Sequence, residues 1–135
     1  MAESKAIFNR LNEVQAIQQA WESKIIPEEE RTPQSRLERM NEEVVELQEA
    51  VVRLDGTPER QLEVGYEAAD VIIIALGVID ALGYDAERLI EEKMRIGFIK
   101  YNPLEVKRLR ANGLSSSEAL KVQKERWNSL NGRTV

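Results

Sequence analysis

The chain has 135 residues, room for one domain, and carries 24 acidic against 19 basic side chains for a net charge of −5. At 42% hydrophobic and 32% charged it is too apolar for a disordered chain and too charged for a membrane protein. With no Cys and no His, it has no disulfide, thiolate nucleophile, zinc–cysteine cluster, Ser–His engine or His-ligated metal, so hydrolytic chemistry would rest on carboxylates, lysines, hydroxyls and a hard metal ion.

Through residues 4–26, Ile7, Leu11, Val14, Ile17, Trp21 and Ile25 recur at steps of three or four, which predicts a helix with this stripe buried, widened by Phe8 and interrupted by Gln18. Pro27 and Glu28-Glu29-Glu30 break the pattern into an acidic loop. Ser35-Arg36-Leu37-Glu38 reads as a capping box opening a second helix, which runs to about Leu54 and stops at Asp55-Gly56. Thr57-Pro58 opens a third helix, continuing through Leu82 to Gly83. Its second half, Val71–Ile79, is apolar on every face; such a helix has to be surrounded, and a chain this short does that by assembling with copies of itself. Asp85 caps a fourth helix to about Ile99, which Asn102-Pro103 ends, and Ser115-Ser116-Ser117-Glu118 opens a last helix reaching Trp127. The expected fold is all-α, one domain over 1–135 with a core at 4–103 and a C-terminal helical extension at 104–135.

Charge is unevenly spread. Residues 1–92 hold 21 acidic and 9 basic side chains, whereas 93–135 hold 3 acidic and 10 basic. The basic segment is read as internal complementarity, with no nucleic-acid partner, because Leu109, Leu114, Leu120, Val122 and Trp127 follow a packed helical pattern. The opening Met1–Ala6 lacks a basic start and apolar run, and Val71–Ile79 is far short of the ~20 residues that span a bilayer. A cytoplasmic protein with no membrane partner is expected.

The informative residues are carboxylates. Most of the acidic positions on helices two and three read as solvated faces, but Glu67 and Asp70 lie one turn apart beside the apolar stretch, where an unneutralised carboxylate costs several kcal/mol. The turn at Asp55-Gly56-Thr57 makes the two helices an antiparallel hairpin. At ~1.5 Å rise per residue, Glu46 lies ~12 Å back from Leu54 and Glu67 ~13.5 Å beyond Pro58. Glu43 and Asp70 come level one turn further on, at roughly 16.5 and 18 Å. Four carboxylates at one height need cations, and oxygen-only donors select Mg²⁺ or Mn²⁺. Neutralisation by Lys or Arg is the alternative, although helix three has no basic residue after Arg60.

Glu42-Glu43-Val44-Val45-Glu46, followed after 20 residues by Glu67-Ala68-Ala69-Asp70, resembles the EExxE…ExxD signature of the all-α nucleotide pyrophosphohydrolases. That superfamily includes MazG-like enzymes, dimeric dUTPases, dCTP pyrophosphatases and phosphoribosyl-ATP pyrophosphohydrolases. The resemblance covers about residues 35–103. It implies a four-helix core in a homodimer or homotetramer, Mg²⁺ held by Glu43, Glu46, Glu67 and Asp70, and Glu42 supporting a further metal or activating water. It also implies hydrolysis of an α–β phosphate bond. Lys93, Lys100 and Tyr101 match a basic, substrate-binding segment of many relatives, but Gly97 stands where they carry Asn, so Asn102 is the candidate to replace it. Trp21 and Tyr101 are candidates to stack on the nucleobase, against the commoner role of aromatics in cores and interfaces. Gln15 and Gln18 are candidates to read a base edge, and Arg95 is read as a surface charge balanced by Glu91 and Glu92.

The expected activity is metal-dependent conversion of a (d)NTP to (d)NMP and pyrophosphate. Two other readings are a phosphoribosyl-ATP pyrophosphohydrolase and a non-catalytic helical interaction module.

Overall fold

The computed structural model describes residues 2–132, with side chains from Arg10 onward. Among the described residues all regular structure is helical: α1 (Ala2–Ile25), a 3₁₀ turn (Glu28–Glu30), α2 (Pro33–Val52), α3 (Pro58–Ala81), α4 (Ala86–Lys100), α5 (Pro103–Ala111) and α6 (Ser116–Asn131). None of these helices is long and apolar enough to cross a membrane. The chain forms two compact units, Met1–Glu87 and Arg88–Val135.

In the first unit, α2 and α3 form the antiparallel hairpin the sequence predicts. Arg53 pairs with Glu63 beside the turn, Glu46 meets Glu67 midway, and Arg36 reaches Gly77 at the far end. As position falls along α2, its partner rises along α3. Asp55 accepts from the backbone N–H and the hydroxyl of Thr57 at 3.0 and 2.6 Å, and Gly56 takes the left-handed φ of +86° that closes the turn. Thr57 caps α3 with Pro58 at its first position, as expected.

The start of α2 differs from the expectation. It begins at Pro33, capped by Thr32, whose side chain accepts from the Ser35 N–H while the Ser35 hydroxyl accepts from the Thr32 N–H. Thr-Pro-x-Ser thus supplies the box, and Ser35 closes it from inside the helix. Pro33 has no N–H to lose at this position and a φ already suited to a helix.

α1 departs from expectation more deeply. Its stripe is turned away from the rest of the unit: Val14, Ile17, Trp21 and Ile25 are 46%, 70%, 56% and 57% exposed, and Leu11 is half-buried. Ile7 and Phe8 lie outside the described side chains. The inward face is polar. Glu22 and Arg36 form a buried ion pair at 2.8 Å, each about 97% enclosed or more, and Arg36 also donates to Gln19 Oε1 and to the Arg31 carbonyl, both at 3.1 Å. Gln15 accepts from the Ala86 N–H at 3.2 Å and donates to the Tyr84 carbonyl at 3.3 Å, while Asn12 accepts from the Glu87 N–H at 3.4 Å. α1 therefore caps the start of α4 and clamps α2 with a polar seam.

Gly77 makes room for that seam. A Cβ there would sit 2.9 Å from Arg36 Nε and 3.1 Å from its Cδ, atoms pinned by the guanidinium's three partners. Of the apolar run, Ile74, Leu76 and Gly77 are buried but Ile72 is 58% exposed, so the chain alone does not surround it.

The second unit holds a further correction. Past Pro103 there are two helices, not one. Asn102 caps α5 by accepting from the Leu104 and Glu105 N–H groups at 3.0 and 3.2 Å. Gly113, at φ +97°, turns the chain into α6, whose Ser115–Glu118 capping box is the predicted one. Leu109 and Ala119 are buried, and α6 runs past Trp127 to Asn131.

Gly77→Ala is expected to destabilise the protein by ~1–3 kcal/mol in urea unfolding, because the new methyl overpacks a pinned arginine. Gly65→Ala, whose Cβ would meet nothing within 4 Å, is the control and should leave the protein unchanged or more stable.

Candidate metal centre

The hairpin register brings acidic side chains from both helices to one level. Glu43 and Glu46 on α2 and Glu67 on α3 each present a carboxylate oxygen so that the three oxygens lie within 4.8 Å of one another. Glu46 is within hydrogen-bonding reach of both Glu43 and Glu67. Asp70, one turn along α3, is exposed and outside the tight cluster, but its charge acts on both Glu43 and Glu67. Glu42 is exposed on α2 beside Glu43 and is not among the three.

Electrostatically the cluster is strained. Burial, then the neighbouring Glu46, Asp70 and Glu67, push the Glu43 carboxyl above the usual glutamate range. Glu67 is pushed the same way by burial, then by Glu46, Asp70 and Glu63. One oxygen of each, Glu43 Oε2 and Glu67 Oε2, is buried without a hydrogen-bond partner among the described residues. Buried acceptors without donors are costly. Two such atoms in an all-oxygen nest fit a hard divalent cation such as Mg²⁺ or Mn²⁺, which prefers carboxylate and water oxygens. The basic groups of the hairpin are engaged elsewhere: Arg53 and Arg60 both pair with Glu63 near the turn, and Arg39 reaches Glu22 at 3.9 Å.

The family model for phosphoribosyl-ATP pyrophosphohydrolase matches residues 11–95. The chain belongs to that family. It is therefore a pyrophosphohydrolase of the MazG-like all-α superfamily, a hydrolase acting on acid anhydrides. No curated protein and no solved structure matches the chain.

Within this family member the remaining predicted residues are placed as follows. Trp21 is exposed on α1 in the first unit. Lys93 is exposed on α4, while Lys100 is buried at its end with Nζ 5.4 Å from the centre of the half-buried Tyr101 ring. Asn102 spends its side-chain oxygen, Oδ1, capping α5. Gly97, where many relatives carry Asn, sits inside α4, and a Cβ there would meet nothing within 4 Å. Arg95 pairs with Glu91 at 2.8 Å, the surface role expected of it. Gln15 and Gln18 are engaged inside the fold, Gln15 at the start of α4 and Gln18 with Glu22 at 3.3 Å.

Sequence reading missed the Glu22–Arg36 pair. Glu22 looks like any surface charge of an amphipathic helix. The available signal was Gly77, a side-chain gap within an otherwise apolar run.

The raised carboxyls set a pH dependence. Their folded-state values lie above the unfolded ones, so they favour folding at low pH and this contribution is lost as pH rises through the folded values. In EDTA, wild type should lose stability as pH rises above the ordinary glutamate range, relative to a Glu43→Gln/Glu67→Gln variant. Saturating Mg²⁺ should reverse the loss in wild type only, as read by thermal unfolding.

Proposed function

We propose that this pyrophosphohydrolase cleaves the α–β phosphate bond of nucleoside or deoxynucleoside triphosphates, giving the monophosphate and pyrophosphate, with Mg²⁺ or Mn²⁺ as cofactor. The observation that carries the reading is the convergence of Glu43, Glu46 and Glu67 within 4.8 Å, two of them with a buried, unpartnered oxygen. Glu43, Glu46 and Glu67 would hold the cation, with Asp70 adding charge at the rim. A bound divalent ion supplies neutralisation of phosphate oxygens and a lowered pKa for a bound water.

The protein's own groups do the rest. Glu42, exposed next to the nest, orients the attacking water toward the α-phosphorus and takes its proton. Lys93 and Lys100 bind the outgoing pyrophosphate, and Tyr101 and Trp21 are the aromatic surfaces for the base. With its Oδ1 capping α5, Asn102 has its Nδ2 amide to offer a substrate oxygen.

A second substrate, phosphoribosyl-ATP, is favoured by the family match over residues 11–95. The same carboxylates would cut the same kind of bond. The substrates are separated by assaying NTPs, dNTPs and phosphoribosyl-ATP with Mg²⁺ or Mn²⁺, scoring pyrophosphate against orthophosphate, with Glu67→Gln alongside. Pyrophosphate from a triphosphate, lost in the variant together with at least ~10-fold weaker metal binding, is the expected result. Pyrophosphate from phosphoribosyl-ATP alone would select the second substrate, and hydrolysis indifferent to Glu67→Gln would overturn the site.

The protein works as a homodimer or homotetramer in this reading. Val14, Ile17 and Ile25 are exposed together on α1, and burying each against a second copy contributes ~1.5–3 kcal/mol. Sedimentation equilibrium should show a dimer or larger species. Ile17→Asp/Ile25→Asp should shift it toward monomer, and a wild-type monomer would contradict the assembly.

A further inference from the structure

Within the Arg88–Val135 unit, a cavity of about 930 Å³ lies along α5 and the start of α6. That is within the ~300–1,000 Å³ usual for small-molecule sites. Val106, Leu114 and Leu120 give it an aliphatic side. The charged residues lining it are two cations, Lys107 and Arg110, with no carboxylate among them. Both are exposed, so a ligand can reach them. They stand three residues apart on α5, which puts them on one face, where like charges repel. Neither side chain has an ion pair among the described residues, whereas the nearby Arg108 and Arg126 share Glu105. Ser115 and Ser116 add two exposed hydroxyls to the wall. The Ser115 Oγ accepts from the Glu118 N–H at 3.1 Å, which serves the end of α6 and leaves the hydroxyl proton to donate.

A ligand matching these walls has an apolar part and an anionic head that accepts hydrogen bonds from an ammonium, a guanidinium and a hydroxyl. A phosphomonoester head carries about −1.5 to −2 at pH 7, close to the two uncompensated positive charges, while a carboxylate supplies only one. Its three terminal oxygens also suffice for Lys107, Arg110 and a serine together. The choice of organic part is equally narrow. With the cations and serines given to the head, the aliphatic side has no group to meet ring nitrogens or sugar hydroxyls, and these would be buried unsatisfied. An alkyl chain leaves nothing unpaired there.

We propose that this cavity binds an alkyl phosphomonoester, with Lys107 and Arg110 taking the phosphate and Val106, Leu114 and Leu120 the chain. Binding here draws on neither the carboxylate nest nor Tyr101, which also lines the cavity and is assigned to the base above. It therefore holds or fails separately from the proposed activity.

The experiment is a titration of the full-length protein in EDTA, following the backbone amides of Val106, Leu114 and Ser116 in a proton–nitrogen correlation spectrum. The probes are n-hexyl phosphate, hexanoate, inorganic phosphate and adenosine monophosphate at matched ionic strength. Hexyl phosphate should move these amides to saturation. The other three should bind ~10-fold or more weakly, hexanoate for want of the second charge, inorganic phosphate for want of the chain, and the nucleotide for its polar organic part. Lys107→Gln/Arg110→Gln should weaken hexyl phosphate ~10-fold or more, the loss of charge-assisted hydrogen bonds, with circular dichroism confirming that the variant folds. Glu67→Gln should bind it as wild type does. Amides that hexyl phosphate leaves in place, equally tight binding of any other probe, a double variant that binds like wild type, or weakened binding in Glu67→Gln would overturn the proposal.

Discussion

Mutual repulsion among carboxylates is the constraint on which this protein's structure turns. Glu43, Glu46 and Glu67 would separate if their backbones were free to move, since burial and like charge both raise the cost of ionising Glu43 and Glu67. They are held together by a hairpin fixed at both ends. At the turn, Arg53 and Arg60 share Glu63, and Asp55 and Thr57 order the connection. At the far end, Arg36 lies in the gap left by Gly77 and is tied to α1 through Glu22. Between these anchors the register is set, and the acidic residues are delivered to one level whether or not they repel. Free energy given up in bringing the carboxylates together is what a cation recovers on binding.

The polar seam beneath α1 decides which face of that helix stays exposed. A buried ion pair is weak evidence for added stability, because desolvation offsets much of the attraction, yet removing one partner strands the other at a cost of ~3–5 kcal/mol. The Glu22–Arg36 pair therefore resists being pulled apart. By giving its polar face to its own chain, α1 leaves its apolar face outward. Ile72 in the middle of the apolar run of α3 is left exposed by the same arrangement.

Much of this was legible in the residues. Thr57-Pro58, the Ser115–Glu118 box and the glycines at 56 and 83 punctuate the chain by local chemistry, so the sequence places them well. Simple helix rise was enough to put Glu46 level with Glu67, since the turn between them is short. Three features escaped, the first because it depends on partners remote in sequence and the other two for local reasons. Which face of α1 turns inward is decided by Arg36 and the start of α4, and hydrophobic spacing alone points to the opposite face. The start of α2 was displaced because Ser35 is able to cap or to close a cap, and Thr32-Pro33 decides between them. α5 was hidden by its brevity, nine residues whose apolar positions Leu104, Val106 and Leu109 make no clear stripe.

The most direct test of the carboxylate nest is Mn²⁺ anomalous diffraction from a crystal of the protein soaked in that ion, with the Glu67→Gln variant measured alongside. An anomalous peak bounded by Glu43, Glu46 and Glu67 in wild type, absent or much weakened in the variant, is the result this account predicts. A nest without a peak in crystals that bind Mn²⁺ at another position, from protein that releases pyrophosphate, would place the chemistry elsewhere and contradict it.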